Sequence, residues 1–107
     1  MIHLTSNNFQ IETKQDLLPV VVMFYANWCG KCAMMKPIAQ ELEKKHIGKI
    51  KFCEVDVDES TVLAAQYAPD LVPTFILFKS GRAVGVLSGL VDEDVLDERI
   101  QKIFRNC

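Results

Sequence analysis

The chain has 107 residues, half of them hydrophobic and 24% charged, enough for one domain (1–107) with a core that needs no disulfide or metal staple. A net charge of −2 gives no electrostatic footprint for nucleic acid or an anionic membrane. No apolar stretch approaches the ~20 residues of a membrane span. The opening MIHLTSNN lacks the basic region and apolar core of a secretory leader, so a reducing cytosol is the expected setting.

Residues 2–5 read as a short strand, with Ser6 or Asn7 capping a brief helix near Asn8–Thr13. Leu18–Ala26 is nearly continuous in apolar residues and rich in valine, the pattern of a strand buried on both faces. From Cys29 to about His46 the period becomes helical, with Met35, Ile38, Ala39, Leu42 and His46 on one stripe. Pro37 falls inside that helix, where it removes one N–H bond and crowds the carbonyl of Ala33, so a kink is expected.

Gly48 ends the helix, and residues 50–57 read as the next strand. Asp58 or Ser60 is placed to cap a short helix through Tyr67, after which the two prolines of PDLVP (69–73) exclude regular structure. TFILF (74–78) is a strand, Ser80-Gly81 a hairpin turn, and Arg82–Leu87 the partner strand. A last helix runs from about Asp92 to Arg105, acidic at its start and basic at its end. Val91 and Leu96 are spaced as a staple around Asp92. No repeat, low-complexity tract or linker interrupts this order.

The order β-α-β-α-β-α-β-β-α predicts an α/β fold: three parallel strands, then an antiparallel hairpin, with helices on both faces of a mixed sheet. The chemistry sits where such sheets place it, at the carboxyl end of a central strand. There the run VVVMFYANW ends in Cys29-Gly30-Lys31-Cys32, and the long helix opens. A helix N-terminus offers unpaired N–H groups and a dipole that favour a thiolate on the first sulfur. The second follows one turn later, within reach of a disulfide. That arrangement suits disulfide exchange.

A structural disulfide or half a zinc site would use the same spacing. Four-coordinate zinc wants further ligands, and Cys53 is alone on its strand, Cys107 is terminal, and His3 and His46 belong to other elements. No metal is therefore expected. Cys53 reads as a small core residue, Cys107 as an accessible thiol at the chain end, and His46 as a helix-end residue near the last carbonyls.

FYANWCGKC, then VPT forty residues on, then FKSGR and SGL, resembles the thioredoxin family over essentially the whole chain. The resemblance implies the thioredoxin fold, a central mixed five-stranded sheet flanked by four helices, and a dithiol protein-disulfide reductase. In that reading Cys29 attacks and Cys32 resolves the mixed disulfide. Pro73 matches the family's cis-proline and Pro37 its helix-kinking proline. Val72 pairs with the substrate backbone. Trp28, Gly30, Val72, Gly89 and Leu90 match the apolar rim that receives the substrate. The implied partners are disulfide-containing client proteins and a thioredoxin reductase as electron donor, for a monomer with no bound cofactor.

The chain departs from the family at three functional positions. Met23 stands where thioredoxins bury an aspartate, Glu54 where its lysine partner falls, and Lys31 where a proline separates the cysteines. Tyr25 replaces a tryptophan. Lys31 and Glu54 are thus the candidates for tuning the thiols, Glu54 either as a proton acceptor for Cys32 or as a solvated charge. Lys31 also favours an oxidase- or isomerase-leaning relative. A protein-binding module with incidental redox chemistry and a metal carrier are the readings from other classes.

Overall fold

The computed structural model describes residues 1–14, 18–67, 69 and 71–107. Its elements run β1 (Ile2–His3), α1 (Phe9–Lys14), β2 (Val20–Tyr25), α2 (Gly30–Lys45), β3 (Lys51–Asp56), α3 (Thr61–Tyr67), β4 (Thr74–Lys79), β5 (Arg82–Ser88) and α4 (Glu93–Arg105). The five strands form one sheet in the order β1-β3-β2-β4-β5. β1 and β2 are parallel to β3, while β4 runs antiparallel to both β2 and β5. The α/β architecture is the one the element order predicts. Of the irregular segment expected over 69–73, Asp70 lies outside the described residues.

β2 shows why a continuous apolar run marks a central strand. Val21 and Met23 join one core cluster with Met35, Ala39 and Leu42 of α2 and Leu96 and Ile100 of α4. Val20, Val22 and Phe24 join the opposite cluster with Phe9 of α1 and Leu63 of α3. β4 alternates in the same way, Phe75 and Leu77 on one face and Ile76 and Phe78 on the other. Each such side chain, taken wholly from water, contributes roughly 1.5–3 kcal/mol. β2 and β4 therefore make the rigid centre to which α2 is fixed.

Two local expectations need correction. The turn before α1 is fastened by Thr5 and Asn8 rather than by Ser6 or Asn7. The Asn8 Oδ1 accepts the Thr5 N–H at 2.8 Å, and the Thr5 carbonyl accepts the Phe9 N–H at 3.0 Å. β1 is also shorter than expected, although Leu4 still donates its N–H to the Glu54 carbonyl at 2.8 Å. Ser80 (φ 54°) and Gly81 (φ 80°) turn the β4–β5 hairpin in the left-handed region, as the sequence suggests. Pro37 lies inside the continuous helix α2 on an exposed position. His46 is the C-cap of α2, its N–H bound to the Leu42 carbonyl.

Candidate active site

The sheet hands the chain from β2 to α2 through Ala26–Cys29, and the first sulfur results from that hand-over. Cys29 is the N-cap of α2, extended at φ −92° and ψ 114°. Its Sγ accepts the Cys32 N–H at 3.2 Å, so a sulfur occupies the place where a serine or aspartate oxygen usually sits. Cys29 is half-buried, and its thiol donates to the Val72 carbonyl oxygen at 3.5 Å. Cys32, one turn further on, is 3% exposed and belongs to the core cluster of Met23 and Met35. Burial pushes its thiol up to about 11, and the neighbouring Cys29 acts in the same direction, against the opposing backbone hydrogen bond of Ala26.

The third component comes from the chain before β4. The Val72–Pro73 bond is cis, and Pro73 is buried. The Pro73 carbonyl accepts the Gly89 N–H at 3.2 Å, which joins the end of β5 to the same spot. Gly89 has φ +90° and open space where a side chain would start, so glycine here serves the backbone turn. Thr74 closes the segment by donating its hydroxyl to the Leu71 carbonyl.

Beside Cys29 lies an open hollow of about 450 Å³, lined by Trp28, Val57, Ala64, Pro69, Leu71 and Val72. Trp28 is 73% exposed, yet its indole N–H is fixed to Asp58 Oδ2 at 2.8 Å. The expected rim is thus divided. Trp28 and Val72 share the hollow with Cys29, and Gly89 is tied to Pro73. Gly30 is exposed at the first position of α2. Leu90 instead faces a separate hollow with Met34, Ile38 and Val91.

The sequence gives Val57, Ala64, Leu71 and Asp56 no role at the site, and offers Asp58 only as a helix cap. Asp56 is buried, and its Oδ1 accepts the N–H groups of Asp58 and Glu59 while Oδ2 accepts the Asn27 amide. The signal was present in Asp56-Val57-Asp58, because aspartate readily bonds the backbone N–H two residues on.

Of the tuning candidates, Lys31 is exposed on the first turn of α2. Glu54 does not point to bulk solvent, its side chain being 13% exposed. Its oxygens meet Tyr25 Oη at 3.3 Å, His3 Nδ1 at 3.1 Å and Lys36 Nζ at 3.8 Å. Burial first, and then the Glu54 charge, push the Tyr25 hydroxyl up to about 12. Met23 is buried in the core. Cys53 is fully buried, which pushes its thiol up to about 12, and Cys107 is exposed. The His46 ring, expected near helix carbonyls, reaches across to Asp97 of α4.

One thiol within reach of a large partner and one sheltered behind it suit a two-electron relay. In such a relay an outer sulfur bonds to the partner and an inner one releases it. The architecture defines a thiol–disulfide exchange protein. The thioredoxin family profile matches residues 1–102. Thioredoxin 1 of Nostoc sp. is 36% identical over 98 residues, covering 92% of each chain. Thioredoxins of Rickettsia felis (35% identical; 94% of this chain, 95% of the relative) and Alicyclobacillus acidocaldarius (36%; 95% and 96%) are similar over nearly their whole lengths. The chain belongs to the thioredoxin family and is a thiol–disulfide oxidoreductase of the disulfide-reducing kind.

Proposed function

We propose that Cys29 and Cys32 are the catalytic pair, and that residues 1–107 act as one monomeric domain reducing disulfides of client proteins in a reducing cytosol. The Cys29 thiolate attacks one sulfur of the client disulfide. That S–S bond breaks, a Cys29–client bond forms, and the client's other sulfur leaves and takes a proton. Cys32 Sγ then attacks Cys29 Sγ and expels the second client sulfur, and the proton lost by Cys32 ends on that thiol. Two electrons and two protons have passed to the client, leaving a Cys29–Cys32 disulfide. A thioredoxin reductase returns the pair to the dithiol, and no cofactor is bound by the chain itself.

The observation that carries this reading is the inequality of the two thiols. Cys29 is accessible beside the hollow, and Cys32 is 3% exposed on the same helical turn. Holding both on one turn makes the second attack intramolecular, which shortens the life of the mixed disulfide. Trp28, Gly30, Val72, Pro73, Gly89 and Leu90 form the client-facing surface in this reading. The client backbone runs along Val72.

The test is turnover of a protein disulfide with NADPH and thioredoxin reductase as the electron source. The wild-type chain should turn over and Cys29→Ser should not, with a reduction potential near ~−270 mV. A potential near ~−180 mV or above would instead place the protein with isomerases and oxidants.

A further inference from the structure

At the far edge of the β3–α3 turn, His3 of β1 faces two carboxylates. Its Nδ1 lies 3.1 Å from Glu54 Oε2, and its Nε2 lies 2.7 Å from Glu59 Oε1. A neutral imidazole has one N–H and one lone pair, so one of these contacts would set a lone pair against a carboxylate. Only the imidazolium donates to both. The charged groups facing the ring are Glu54 and Glu59, with Lys36 of α2 on the far side of Glu54. The Tyr25 hydroxyl also donates to Glu54, and the Asn8 amide donates to the His3 carbonyl at 3.0 Å.

Glu59 is continuous with the aspartate that fixes the tryptophan. Its N–H and that of Asp58 share Asp56 Oδ1 at 3.3 and 2.9 Å, and Asp58 Oδ2 holds the Trp28 indole at 2.8 Å. The turn is therefore pinned at Glu59 by β1, at Asp56 by β3, and grips Trp28 through Asp58. We propose that His3 is a positioning residue for Trp28: its imidazolium bridges Glu54 and Glu59, holds the turn, and so keeps Asp58 against the indole.

This rests on the reading of Trp28 as part of the client-facing surface. The Glu59 hydrogen bond, and then that of Glu54, raise the His3 titration above the ordinary 6.5. The latch is then fully present below pH 6.5 and is lost as pH rises through the raised value. A client should find Trp28 held in slightly acid solution and loosened in alkaline solution. The ring is 43% exposed, and exposed ion pairs are worth at most about 1 kcal/mol, so the change is a modulation of client binding and not an on–off switch.

Trp28 is the one tryptophan of the chain, so its indole N–H gives an unambiguous nuclear magnetic resonance signal. In the oxidised protein, where ionisation of the catalytic thiols contributes nothing, that signal should move between pH 5 and 9 with the midpoint of the His3 ring. His3→Gln should abolish the movement, and His3→Lys should pin the signal at its low-pH position throughout. Glu59→Gln should shift the midpoint downward, and His46→Gln should leave it unchanged. In turnover, where the catalytic thiols titrate alike in both proteins, client KM of the wild type should rise about two- to threefold relative to that of His3→Lys across the same range, the size expected of an exposed ion pair.

An indole signal that is flat in the wild type, or that still moves in His3→Gln, would overturn the proposal. An indole that follows His3 while that KM ratio stays flat supports the latch. It removes Trp28 from the client-facing surface, so failure of the one reading is separable from failure of the other.

Discussion

Cys29 Sγ and the Val72 carbonyl oxygen lie 3.5 Å apart, so the outer thiol rests on the residue that precedes the cis Pro73 bond. In the proposed reaction a client that reaches this sulfur also meets Val72. The inner thiol has no such access.

The order of attack follows. Burial, and then the neighbouring Cys29, hold the Cys32 proton above the ordinary thiol range, so Cys32 is less ionised near pH 7 than an ordinary thiol. Cys29 should therefore be alkylated first near neutral pH, read by mass spectrometry after a short exposure to iodoacetamide. Cys32→Ser should accumulate covalent mixed disulfides with clients, while Cys29→Ser should trap none. The reverse pattern would exchange the two roles.

Glu54 pairs in register with Met23, which lies in the same cluster as Cys32. Its carboxylate is nevertheless taken up by Tyr25, His3 and Lys36. Glu54→Gln should slow resolution of a mixed disulfide by less than about threefold, far below the ~10²-fold or more of a positioned general base. Stopped-flow measurement of client release reads this step directly. A tenfold loss with unchanged alkylation of Cys29 would make Glu54 the acceptor of the Cys32 proton.

Lys31 stands exposed between the cysteines, where a positive charge favours the thiolate and hence the reduced form. Such a charge is worth about 0.3–1 kcal/mol. At ~30 mV per ~1.4 kcal/mol for two electrons, that is roughly 6–20 mV. Lys31→Gln should lower the potential by no more than about 20 mV, and the difference should shrink in high salt. A rise, or a salt-independent drop several times larger, would show that Lys31 acts through something other than its charge.

The sheet was legible because its evidence is local. Valine runs, the Ser80-Gly81 turn and the helical periods each fix their own segment, and the topology follows from their order. The thiols were legible for the same reason, since Cys29 and Cys32 lie on one turn. What escaped depends on contacts made across the chain. His46 stands at the end of α2 as expected, but nothing nearby in sequence announces that its ring meets Asp97, 51 residues away. Nothing near His3 in sequence announces Glu59, 56 residues away. Leu90 was grouped with Trp28 although the two fall in different hollows. Periodicity assigns a face to a side chain but does not name the partner on the other element.

Gly85 shows a cross-element constraint that a stability measurement can read. Opposite Leu77 and Phe78 of β4 the register of β5 skips Val84, and a Cβ on the adjacent Gly85 would stand 2.8 Å from Ile103 Cγ2 of α4 and 2.9 Å from its Cδ1. Cγ2 is fixed to the branched Cβ and has little freedom to withdraw. Gly85→Ala should destabilise the fold by about 1–2 kcal/mol in urea unfolding, the cost of overpacking. Adding Ile103→Ala should recover at least about 0.5 kcal/mol relative to the sum of the two single changes. Strict additivity would mean that the two side chains do not meet.

Asp97 carries the pH-dependent part of the α2–α4 contact. It is 5% exposed, and its oxygens accept from His46 Nε2 at 2.7 Å, Gln101 Nε2 at 3.0 Å and the Lys45 ammonium. Burial alone would push its carboxyl up, but the hydrogen bonds from Lys45, His46 and Gln101 outweigh it and hold the group below the usual 3.8. A carboxylate lowered in the folded state adds stability that is complete above its unfolded value and is lost as pH falls through the folded one. Asp97→Asn should therefore cost about 1–3 kcal/mol at pH 7, the range for a buried acceptor losing a charged partner. The Lys45 contribution is small because that side chain is 57% exposed. Urea midpoints of the two proteins should converge as pH drops below 3.8, because the wild-type carboxyl then protonates and loses the same interactions. A gap that stays constant from pH 7 to pH 3 would mean that Asp97 acts by its shape and hydrogen-bonding pattern, and that its charge contributes nothing to holding α4 on α2.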